Sequence, residues 1–90
     1  MKSQSYGMTL AAKEHLLNGQ PITRLEAMVF FGVSNLPVII MLLKREGWNI
    51  TKRPIALALA VRRVNEHAHL ETPKNLPIRD ILMTEYRLER

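Results

Sequence analysis

The chain has no cysteine among its 90 residues. Disulfides and thiolate metal sites are thereby excluded, which fits a reducing compartment. Aromatic residues make up only 6% of the chain, so its core must be mainly aliphatic. No long apolar run occurs either. The longest, Leu36 to Leu43, is interrupted by Pro37 and is far too short to span a bilayer. The opening Met-Lys-Ser-Gln-Ser-Tyr-Gly has no apolar stretch behind a basic end. No secretory signal and no membrane association are expected, and a cytoplasmic location is.

What is present is aliphatic and basic. Hydrophobic residues reach 47%, enough for a folded domain and too many for disorder. The length predicts one domain spanning residues 1–90. A domain this small gains from sharing burial with a partner chain. The formal net charge of +5 favours polyanions, of which nucleic acid is the commonest in a cytosol.

Local signals place three helices. The first is expected from about Thr9 to Asn18, with Thr9 as N-cap, Gly19 as the left-handed terminator, and Tyr6, Leu10 and Leu17 on one stripe with Leu16 at its edge. Thr23-Arg24-Leu25-Glu26 is a capping box that starts a second, short helix. Its Ala27, Met28 and Phe31 share a face spaced to meet a core, and Gly32 stops it. Ser34 suits the N-cap of a third helix with Pro37 in its first turn, and Gly47 closes it. Leu36, Ile39, Ile40 and Leu43 form its inward stripe. Only the tight turn Gly32-Val33-Ser34 separates helices two and three, the arrangement of a helix-turn-helix.

The character changes after Gly47. Trp48 to Arg53, ending at Pro54, reads as a short strand. Ile81 to Leu88 reads as another, with Leu82, Thr84, Tyr86 and Leu88 on one face. Together they predict a two-stranded β-wing. Between them, Leu57, Val61, Val64 and Ala68 recur at helical spacing and Arg62 with Glu66 forms an i, i+4 pair, predicting a fourth helix over Ile55 to His69. Ile55, Leu57, Leu59 and Val61 also alternate, so a long strand is the rival reading. Glu71 to Pro77 is expected as a loop.

The run Ile22-Thr23, Glu26-Ala27, Phe31-Gly32-Val33-Ser34, Leu36, Ile39, Leu43-Lys44, Glu46-Gly47-Trp48 and Ile50 resembles a phage and prophage helix-turn-helix family. Its pattern is G-x-x-I-T-x-x-E-A, then F-G, then a leucine-rich helix ending in L-[RK]-x-E-G-x-x-I. Glu85-Tyr86-Arg87-Leu88 is similar to that family's closing strand. The resemblance implies a small winged-helix protein that binds DNA in a bacterial host. Two departures stand out. Asn35 occupies a place where the family commonly carries an arginine early in the reading helix, and the wing is long here.

The outward face of the third helix carries Ser34, Pro37, Val38, Met41 and Arg45, with Lys44 at its edge. Asn35 is suited to pair with adenine and Val38 to touch a thymine methyl. Phosphate contacts are expected from Thr23, Arg24, Ser34, Lys44 and Arg45, although Lys44 and Arg45 equally suit the negative end of the helix dipole. Lys52 and Arg53 are expected to grip DNA from the wing, with Arg62 and Arg63 as possible additions. Leu25, Val29, Val38, Met41 and Leu42 lie off the core faces and predict a homodimer or partner interface, unless the wing insertion folds back over them. His67-Ala68-His69 has too few ligands for a metal site, and no catalytic grouping or cofactor motif is apparent.

The expectation is therefore a mainly α winged helix-turn-helix domain acting as a transcriptional or recombination regulator. It would bind duplex DNA as a dimer, with no cofactor, small-molecule substrate or enzymatic activity. The alternative is an interaction module docking a host or phage protein through the apolar face of helix three.

Overall fold

The computed structural model describes the backbone of residues 2–89 and the side chains of residues 9–89. Helix α1 spans Lys2–Leu17, so Thr9 lies within the helix and does not cap it. Among the described side chains of α1, Ala12 and Leu16, one turn apart, are buried, Leu17 packs beside them, and Leu10 is exposed. The inward stripe is thus rotated from the one expected, and the Tyr6 side chain lies outside the described residues. The helix ends as anticipated. Gly19 adopts φ 90°, and the amides of Gly19 and Gln20 donate back to Leu16 O and His15 O at 3.0 and 3.2 Å.

Ile22 and Thr23 then form strand β1, which was not expected, and Thr23 also caps helix α2, Arg24–Phe31. The Glu26 amide donates to Thr23 Oγ1 at 3.3 Å, and the Thr23 amide donates to Glu26 Oε1 at 3.0 Å. Ala27 faces the core and Phe31 is half-buried against it. Met28 is 55% exposed, because the adjacent helical position points away from the face that α2 buries. Gly32, at φ 63°, ends α2.

Helix α3 covers Leu36–Arg45. Asn35 takes the N-cap position in place of the expected Ser34, and its side chain makes no capping bond. Pro37 therefore falls in the first turn, where no helical partner is needed for an amide. Leu36, Ile39, Ile40 and Leu43 are all buried, as their spacing requires. The axes of α2 and α3 differ by 103°, within the range of a helix-turn-helix pair.

Strands β2, Ile50–Ala56, and β3, Leu82–Leu88, pair antiparallel from Ile50↔Leu88 to Ala56↔Leu82. Strand β1 joins the other side of β3 through Ile22↔Tyr86 and Thr23↔Glu85. The sheet therefore has three strands in the order β1-β3-β2, not two. Pro54 sits inside β2 and does not end it, which an edge strand tolerates.

Both readings of the insertion hold in part. Ile55 and Ala56 stay in the strand, and helix α4 covers only Leu57–Val64. Its first amides are satisfied by the returning chain: Leu57 N–H donates to Ile81 O at 2.7 Å and Ala58 N–H to Ile78 O at 3.0 Å. Val61 and Val64 are buried, while Ala68 lies beyond the helix and is exposed.

Strand alternation divides the interior in two. Ile22, Ile50, Tyr86 and Leu88 pack with α1, α2 and α3 in the main core. Thr23, Ile55 and Glu85 turn to the opposite face, where α4 buries Ala60, Val61 and Val64.

Candidate nucleic-acid interface

The outward side of α3 and the exposed side of β2 meet in an open groove of about 460 Å³. Pro37, Ile40 and Met41 line its α3 wall, Lys44 and Arg45 its end, and Lys52 and Tyr86 its sheet wall. Lys52 is directly opposite Tyr86 across the β2–β3 ladder, so the register itself aims the lysine toward α3. Among the described residues, no carboxylate lies within ion-pair distance of Lys44, Arg45 or Lys52. Three cations thus ring an apolar floor and are free to meet a polyanion.

The neighbouring face of α3 is apolar and open. Val38 is 47% exposed and Met41 46%, Leu42 is exposed to a similar degree, and so is Val29 on α2. The wing insertion packs on α2 and β2 and leaves these side chains uncovered. Ser34 and Asn35 are exposed at the start of α3. Arg24 and the half-buried Leu25 line a separate groove of about 560 Å³ beside Met28, Leu57 and Leu82. Pro37 and Tyr86 border both grooves.

Several expected contact residues are buried or engaged by carboxylates. Thr23 is completely buried, and its hydroxyl is held by the capping box and by a 3.0 Å bond to Glu26 Oε1. Arg53 follows Lys52 in the strand and therefore points to the opposite face, where its Nε donates to Glu85 Oε1 at 2.8 Å. Arg63 is further still from a surface cation. Its Nη1 donates to Glu85 Oε2 and its Nη2 to Glu26 Oε1, both at 2.6 Å. Its Nε is buried without a partner. Arg62 is exposed on α4.

This internal ion cluster was not foreseen. Glu85 is wholly inaccessible. Burial alone would raise its pKa, but hydrogen bonds from Arg63 and Arg53, reinforced by their charges, outweigh burial and hold it below the usual carboxylate value. Burial would likewise lower the Arg63 pKa, and the bonds to Glu85 and Glu26 instead raise it. Only the odd position of Glu85 within an alternating strand hinted at this. The partners lie 22 and 37 residues from Arg63, so no local pattern connects them. The histidines are placed apart from the groove. His15 and His67 line a small cavity of about 100 Å³ next to Arg63, and His69 pairs with Glu71.

A helix-turn-helix followed by a strand-bordered wing defines the class: a winged helix-turn-helix domain. Residues 12–66, more than half of the chain, match the winged helix-turn-helix domain family, and the chain belongs to it. No curated protein and no solved structure matches the chain. No single helix among the described residues is long and apolar enough to cross a membrane.

Proposed function

We propose that this domain binds duplex DNA, with α3 in the major groove and Lys44, Arg45 and Lys52 on the flanking phosphates. The observation that carries this reading is the groove between α3 and β2, where three cations without carboxylate partners among the described residues surround Met41 and Pro37. Cations matched to phosphates give most of the affinity and make it salt-dependent. The exposed start of α3 at Ser34 and Asn35, with Arg24 nearby in the second groove, adds further phosphate and base contacts. Family membership supports DNA binding. The resemblance to phage and prophage proteins supports a role as a regulator of transcription or recombination in a bacterial host.

The test is a gel shift on random duplex DNA at low and moderate salt. The parent should shift DNA at low salt and release it as salt rises. Lys44→Ala, Arg45→Ala and Lys52→Ala should each weaken binding uniformly across sequences. Each should also reduce the salt slope by about 0.9 for every phosphate that is no longer neutralised. No shift at either salt would remove the DNA reading.

Exposed Val29 on α2 and Leu42 on α3 support a second element, association of two copies through apolar side chains. The same exposure supports the rival reading, an interaction module for another protein. Leu42→Asp should reduce the mass measured by light scattering if the domain is a dimer. A monomeric mass for the parent at every concentration would exclude self-association.

A further inference from the structure

We infer that the reading helix selects A·T base pairs, and that it does so by apolar contact with thymine methyl groups at Val38 and Met41. The inference rests on the DNA-binding reading above and names the base pairs that the same site prefers.

A helix of this kind presents its N-terminal residues to base edges. Around the start of α3, Ser34, the N-cap Asn35, Pro37 and Val38 are exposed, and Met41 follows one turn further on, so that Asn35, Val38 and Met41 lie three residues apart along one face. The Asn35 side chain makes no capping bond, so its amide is available to a base. Asparagine pairs in a bidentate manner with adenine N6 and N7. Val38 and Met41 have no polar group to offer, and the one apolar feature of the major groove is the C5-methyl of thymine. Guanine is read best by arginine or lysine. The two cations of α3, Lys44 and Arg45, stand in its last turn, and Lys52 stands on the sheet across the groove. They are placed for backbone phosphates on either side of the apolar stretch. Charge complementarity therefore commits this apolar face to DNA: Lys44, Arg45 and Lys52 line the groove with Met41 at its edge, and the chain as a whole carries +5. The base-facing part of α3 thus has a partner for adenine and a partner for thymine, and no arginine or lysine for guanine.

Fluorescence anisotropy at low salt would test this with three duplexes. One alternates A and T, the second carries deoxyuridine in place of every thymidine, and the third alternates G and C. Deoxyuridine differs from thymidine only by the missing methyl, so it keeps the pairing and the phosphates. The parent should bind the thymidine duplex most tightly, and its affinity should fall about four-fold for each methyl removed from the interface in the deoxyuridine duplex. The variant with Val38→Ala and Met41→Ala should bind both A·T duplexes equally while keeping its salt dependence. Both side chains are exposed, and circular dichroism would verify that the variant remains folded. Equal binding of thymidine and deoxyuridine duplexes by the parent, with a normal salt slope, would overturn the methyl inference and leave DNA binding intact. Absence of binding to all three would overturn both.

Discussion

Arg63 Nη1 lies 2.6 Å from Glu85 Oε2, and the other end of the same guanidinium lies 2.6 Å from Glu26 Oε1. One side chain from α4 thereby ties the wing insertion to strand β3 and to the first turn of α2. Without it, among the described residues, buried Glu26 would have no cation within ion-pair distance and buried Glu85 would keep Arg53 as its close partner. The fork geometry matters, since only a planar guanidinium can address two acceptors in this way.

Arg63→Ala should therefore destabilise the domain by about 3 kcal/mol, the lower end for breaking a buried pair, given that Arg63 keeps some exposure to solvent. Urea unfolding measures this directly. Arg63→Lys should recover only part of that stability. An unchanged midpoint for Arg63→Ala would show that the clamp contributes nothing.

Acid should act through Glu85. Its pKa is lowered in the folded chain relative to the ordinary 4.5. A carboxylate depressed on folding contributes stability that is complete above its unfolded pKa and is lost as pH falls through the folded value. Stability of the parent should thus decline as pH drops below 4.5. Glu85→Gln should start less stable at neutral pH and decline less steeply over that range. Parallel curves for the two proteins would assign the acid sensitivity elsewhere.

Lys52 and Arg53 are neighbours in sequence with opposite tasks. Lys52→Ala should reduce duplex DNA affinity and leave the unfolding midpoint unchanged. Arg53→Ala should lower stability by about 1 kcal/mol, since the pair is half open to solvent on the arginine side and Glu85 retains Arg63. Its DNA affinity should match the parent. The reverse pattern would mean that the sheet faces are assigned the wrong way round.

Gly32 holds the turn between α2 and α3 at φ 63°. A Cβ there would meet nothing within 4 Å, so the cost of Gly32→Ala is backbone strain alone. About 1 kcal/mol is expected, seen as a melting temperature lower by about 4–8 °C. A smaller shift would indicate that the turn relaxes to another conformation.

Much of the α-helical half was legible because its determinants lie within a turn of one another. The capping box of Thr23 and Glu26, the left-handed Gly19 and Gly32, and the inward stripe of α3 all appear where the sequence places them. Even so, Asn35 and not Ser34 caps α3, a one-residue shift that no local rule resolved.

The sequence by itself determined the helix-turn-helix and the strand periodicity, since hydrogen bonds and side-chain spacing within a few residues decide both. Tertiary structure decided the rest. It recruited Ile22 and Thr23 as a third strand, because β3 supplied an edge for them. It delayed the start of the fourth helix to Leu57, because pairing with β3 keeps Ile55 and Ala56 extended. It chose which face of β2 meets α3, and so sent Lys52 to the groove and Arg53 to Glu85. Alternation requires two neighbours to point apart, but only the packed neighbours on each side determine which of them meets the groove and which meets a carboxylate.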